Sequence, residues 1–210
     1  MNTPGYRRLA SLALWIALAV EAVWLLFERF GHHAAWKSLE QPTVFFALFA
    51  LLALLGTRVF WYPLAIRVFF AYEFGAAVAD RLGWLGPPGS GVGWGDFTHF
   101  VAYTHRVNAF LPVSFAFPLA LIATVAESTF TVTLLLGIWT RLSCLGAAVL
   151  LCLFGSAMTA SGLSHGQFYY AVFLLAAGAW TMSAIDPTWL SLDRLVARRG
   201  GKSFGADADQ

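Results

Sequence analysis

Thr124 to Gly155, TVAESTFTVTLLLGIWTRLSCLGAAVLLCLFG, decides how this chain is read. It contains two apolar runs joined at Gly137-Ile138-Trp139-Thr140-Arg141, and the first run carries a lone carboxylate, Glu127. An ionised side chain at the centre of a bilayer-crossing helix costs about 2.5 to 3.5 kcal/mol on translocon scales. Glu127 therefore needs either a polar partner inside a bundle or a chemical task.

The rest of the chain agrees that lipid is the solvent. Of its 210 residues, 59% are hydrophobic and only 11% charged, and its mean hydropathy is +0.70. Soluble domains carry about a quarter charged residues. The expected class is an all-α polytopic membrane helix bundle with lipid as its main neighbour, with room for five or six spans of about 20 residues and none for a separate soluble domain. A net charge of +2, with basic residues near span ends, speaks against a nucleic-acid partner. The two cysteines, Cys144 and Cys152, lie eight residues apart on one predicted helix. That is about 12 Å of rise, against the roughly 7 Å Cα limit for a disulfide.

Taken in order, Leu9 to Phe27 reads as an uncleaved first span, because apolar residues continue past any small-residue cleavage site. Gly31 to Pro42 reads as a loop or interfacial helix. The next run, Thr43 to Leu55, covers only about 20 Å and spans only if Gln41 and the Gly56 to Trp61 flank join it. Leu64 to Leu82 carries Arg67, Glu73 and Asp80. The long connection after it opens with GWLGPPGSGVGWG, a flexible loop by composition. Within that connection Asp96 can N-cap a short helix through Ala109. Phe97, Phe100, Val101, Thr104, Val107 and Leu111 fall on one face, and His99, Tyr103 and Arg106 on the other, which predicts a lid over the outer mouth with Phe100 and Val107 facing down. Phe115 to Gly137, Leu142 to Gly162 and Gln167 to Ile185 read as three further spans. Residues 187–210 read as a cytoplasmic tail without fixed structure.

The helix bearing Glu127, its Gly-x-x-Thr-Arg-Leu ending (Gly137, Thr140, Arg141, Leu142) and the helix that follows resemble the DoxX family of small membrane proteins. The resemblance implies a four-helix core over residues 64–186, with an outer loop over 83–114 and two extra helices in residues 1–63. Relatives in that family include small membrane subunits of thiosulfate:quinone oxidoreductase. A quinone as a noncovalent cofactor, and a partner redox subunit, are what the resemblance implies for this chain.

With six spans, nine basic residues fall on one side and four on the other. Arg7, Arg8, Arg58, Arg67, Arg141, Arg194, Arg198, Arg199 and Lys202 form the larger group, and Arg29, Lys37, Arg81 and Arg106 the smaller. The positive-inside rule then puts both termini in the cytoplasm of a bacterial-type inner membrane. Glu21, Glu73 and Glu127 each fall about 10 to 14 Å below the outer helix ends, and one outward-opening polar pocket is the simplest arrangement that solvates all three. The candidate catalytic residues are Glu127 and Glu73, as proton exchangers. Arg106, His99, Tyr103, Thr124 and Thr131 are candidate substrate-binding residues. The histidine spacings provide no metal site, and neither a Cys-x-x-Cys pair nor a dinucleotide fingerprint occurs. Two functions stay open: a membrane subunit of a quinone-linked, sulfur-compound oxidoreductase, and a non-catalytic structural or assembly subunit that binds another membrane protein or lipid. Whether the chain is an enzyme is undecided from its residues.

Overall fold

The computed structural model describes residues 3–56, 58–185 and 190–196, and among these the chain is all-helical. Helix α1 spans Pro4–Leu26; the Thr3 hydroxyl accepts from the Tyr6 amide at 3.3 Å, and Pro4 occupies a position where its missing N–H costs nothing. It widens into a π-type turn, Phe27–Gly31. A 3₁₀ turn, Trp36–Leu39, then feeds α2, Glu40–Leu55. The short second span thus gains its length on the N-terminal side, through Gln41, and the Gly56 to Trp61 flank stays outside it. Helix α3 is Tyr62–Arg81, α4 Phe97–Val107, α5 Ala116–Leu136, α6 Thr140–Ala160, α7 Ser164–Tyr169 and α8 Val172–Ala184.

Among the described residues, four helical stretches are long and apolar enough to cross a membrane: Pro4–Gly31, Trp36–Leu55, Val113–Leu136 and Thr140–Ala160. The protein is an integral membrane protein. Its outward surface is apolar, with Ile16, Val23, Ile122 and Leu153 all more than half exposed, as expected where lipid meets the helix faces. Helix α3 is as long as the others but carries Arg67, Glu73, Asp80 and Arg81; Arg67, Asp80 and Arg81 turn inward and are buried. The apolar core runs through Phe49, Ile66, Phe70, Leu134, Leu174 and Met182. Helix α8 sits at its centre, packed on α6 and α1, and approaches α2 so closely at Gly178 that a Cβ there would lie 2.0 Å from the Phe49 ring.

Side-chain contacts sort into two ends. At one, the Tyr6 and Ser183 hydroxyls meet at 2.7 Å, Thr181 donates to the Ala10 carbonyl at 3.1 Å, and Arg67 donates to the Leu190 carbonyl at 2.8 Å. At the other, the Glu28 carboxylate lies 3.2 Å from His32 and 3.7 Å from His165, and Ser161 donates to the Val107 carbonyl. The predicted lid is present: α4 buries Phe100, Thr104 and Val107 and leaves His99 and Arg106 exposed.

Two expectations are corrected. The single last span, Gln167 to Ile185, is broken between α7 and α8 at Ala171, which is fully buried and left-handed at φ 48°. That conformation costs about 1 to 2 kcal/mol for a residue with a Cβ. It lets Phe168 stack on Trp24 and Gln167 accept from Thr159, contacts that offset the cost. The structureless tail assigned to 187–210 also starts too early. Within residues 190–196, Ser191 is buried and the Asp193 carboxylate accepts from the Trp139 and Thr140 amides, each at 2.8 Å. A residue from beyond α8 therefore caps the start of α6. The rest of that tail lies outside the described residues.

Candidate functional site

Glu127 projects from the middle of α5 into the bundle, where it is 2% exposed, and meets the last residue of α3, Arg81. One guanidinium nitrogen, Nη2, donates to Glu127 Oε1 at 3.0 Å and lies 2.9 Å from Oε2. The other, Nη1, donates to the Thr124 hydroxyl at 3.3 Å, one turn away on α5. Two aromatic rings flank the cation: Phe100 of α4 at 3.7 Å from the guanidinium carbon and Trp94 of the loop before it at 5.0 Å. A cation against a ring face, away from water, gains about 2 kcal/mol or more. The carboxylate, the hydroxyl and the two rings take the place of water around the terminal nitrogens of Arg81, while its Nε is buried without a hydrogen-bond partner.

Asp80, the neighbour of Arg81, organises the loop that brings Trp94 there. Its carboxylate accepts from the Gly93, Trp94 and Gly95 amides at 2.9, 3.1 and 2.8 Å. Consecutive helical residues diverge by about 100°, so Asp80 turns to the loop while Arg81 turns to α5. The lid helix begins immediately afterward. Asp96 caps it by accepting from the His99 amide at 2.8 Å and facing the His99 ring at 2.9 Å. The amide bond first, and the ring contact after it, hold the Asp96 carboxyl below the usual carboxylate range.

The remaining candidates separate. Thr131 donates to the Glu127 carbonyl at 2.8 Å, and its methyl would meet a Cβ on Gly75 at 3.1 Å, so it serves the close approach of α5 to α3. Glu73 is half-buried and forms no hydrogen bond or ion pair among the described residues. Tyr103 is half-buried against Trp94, and burial pushes its phenol up. His99 is held by Asp96 on the exposed face, and Arg106 lies over the Tyr103 ring at 5.4 Å, so neither reaches Glu127. Among the described residues, Glu21 and Glu127 do not share a pocket. Glu127 is taken by Arg81, and Glu21 lines a separate cavity between α1, α6 and α8. That cavity is not lined by Glu127, nor is the shallow hollow at Trp139, Arg141, Leu142 and Asp193.

Sequence reasoning singled out Glu127 but assigned Arg81 to the topology count. The signal that would have found it is the Asp80-Arg81 pair itself, since two opposite charges at one helix end point to different neighbours. Among the described residues, no group of three or more His, Cys, Asp or Glu side chains is arranged to hold a metal ion. No family model matches the chain, and neither a curated protein nor a solved structure does.

Proposed function

We propose that this integral membrane protein is a non-catalytic, DoxX-like subunit of a bacterial-type inner membrane, with both termini cytoplasmic, that supports assembly of a larger membrane complex. The observation that carries the reading is the closure of Glu127. Its carboxylate is held by Arg81, whose guanidinium lies against the Phe100 ring, an arrangement suited to locking α3, α4 and α5 together and unsuited to passing protons to a mobile ligand. Removing one partner of a buried ion pair costs about 3 to 5 kcal/mol, whereas replacing both by apolar residues is often neutral. The test is therefore the double variant Arg81→Met with Glu127→Leu, expressed in its native membranes. A structural subunit should keep its cross-linked partner at wild-type stoichiometry in this variant, and the purified chain alone should show no quinone reductase turnover. Turnover in the wild type that falls by about 10²- to 10⁴-fold in folded Glu127→Gln would contradict the reading, because that is the usual contribution of an acid–base group.

One observation favours a second reading, in which the chain is the membrane subunit of a quinone-linked, sulfur-compound oxidoreductase. Glu73 is a half-buried carboxyl on α3 with no partner among the described residues, and if α3 crosses the membrane, as the six-span reading has it, carboxyls of this kind commonly serve proton transfer. In this reading Glu73 exchanges protons with a quinone head group, and Arg106 and His99 attract the anionic substrate at the outer face. Quinone content of the purified protein, compared between wild type and Glu73→Gln, distinguishes it from the first.

A further inference from the structure

Glu21 lies in the membrane part of α1, seven residues before Glu28, or about 10 Å below the outer end. It is 3% exposed, and its Oε1 is buried without a hydrogen-bond partner. The side chain lines a cavity of about 760 Å³ walled by α1, α6 and the α7–α8 segment. That volume lies within the roughly 300 to 1,000 Å³ of small-molecule sites. The walls are almost wholly apolar, and the rim residues Ile16 and Leu153 are more than half exposed toward lipid. Among the described residues, the polar groups that line it are Glu21, Ser156 and Gln167, with the Cys152 thiol and the Trp180 indole beside them. Gln167 is itself buried, and its side-chain amide lies against the Thr159 hydroxyl, whose one hydrogen is shared with the Gly155 carbonyl; in either orientation the amide keeps an N–H without a partner among the described residues.

A buried polar group without a partner is costly, and this one faces a space that is open to the bilayer. We propose that the cavity binds a membrane-dissolved amphiphile with an uncharged, hydroxyl-bearing head and an apolar tail, the hydroxyl bridging Glu21 and Gln167. A hydroxyl donates to the carboxyl and accepts from the amide in one group. An ammonium head offers only donors and leaves the Gln167 amide unmet, and a pure hydrocarbon satisfies neither. The tail lies along Ala17, Val149 and Ala177 on the apolar walls. This site shares no side chain with the Arg81–Glu127 pair, so it stands independently of the proposed function.

The experiment uses the full chain in lipid nanodiscs with three photoactivatable probes of equal chain length: a hexadecanol, a hexadecylamine and a hexadecane, each with a diazirine in the chain. The alcohol should label peptides of α1, α6 and α7 and be competed by unlabelled hexadecanol. Glu21→Leu should lower that labelling about tenfold, the usual effect of one desolvated hydrogen bond, while Glu21→Gln should retain it. Equal labelling by the hexadecane probe, stronger labelling by the amine, or wild-type labelling in Glu21→Leu would each overturn the proposal. The Leu variant should also melt at or above the wild-type temperature, since it removes an unpaired polar atom. A lower melting temperature would mean that Glu21 has a partner within the fold, and would overturn the proposal as well.

Discussion

Gly137 meets two demands at once, because it ends α5 in the left-handed conformation at φ 68° and faces the segment beyond α8. A Cβ added there would lie 2.5 Å from Arg67 Nη1 and 2.5 Å from the Ser191 Cβ. Gly137→Ala should therefore destabilise the protein by more than the about 1 to 2 kcal/mol of left-handed strain alone, read as a lower thermal midpoint in detergent. An unchanged midpoint would mean that residues 190–196 do not dock against the turn. The glycine was legible in the sequence as a helix stop, but its second role was not, because Ser191 and Asp193 come from a short stretch beyond the last span with no helical run long enough to announce that it packs. Glu127 was legible for the opposite reason: a charge within an apolar run stands out on its own. Its partner was not, since Arg81 at a helix end looks the same in sequence whether it turns to water or to the core. Residues 190–196 matter in the same way for Arg67, counted as a topology charge and found 2% exposed with the Leu190 carbonyl as acceptor.

Among the elements, α4 was readable because cap and amphipathic face point to the same helix. Asp96 caps it, Phe100 and Val107 lie underneath, and only the last residues, through Ala109, fall outside it. The cap makes the first turn of the lid sensitive to acid. The Asp96 carboxyl titrates lower in the folded protein than unfolded, so its contribution is present above its unfolded value, about 3.9, and is lost as pH falls through the lower folded value. Hydrogen-exchange protection of Phe100 and neighbouring amides should drop in wild type only in that acid range. In Asp96→Ala it should already be low at neutral pH, and full protection there would show that packing of Phe100 alone holds the turn. The break before α8 was not readable, because Tyr170-Ala171 has neither glycine nor proline, and it is tertiary contact through Phe168 and Gln167 that bends the chain.

For the whole molecule, the contacts that join Tyr6 to Ser183 and Arg67 to Leu190 place the start of α1, the start of α3 and the end of α8 at one end of the bundle. The proposed topology, six crossings with both termini in the cytoplasm, is compatible with this arrangement, and it takes its orientation from the nine-to-four split of basic residues. A fluorescent reporter fused after Gln210 should light up and alkaline phosphatase at the same place should stay inactive; active phosphatase would invert the orientation. A polar lock joins three helices of the bundle, in which α3 supplies Arg81, α5 Glu127 and α4 the Phe100 ring against the guanidinium. The most direct measurement of that lock is a double-mutant cycle on thermal unfolding in detergent with Arg81→Met and Glu127→Leu. Each single variant should lose about 3 to 5 kcal/mol by stranding a buried charge, and the double variant should recover most of the loss. Singles at wild-type stability, or losses that simply add in the double variant, would contradict the account.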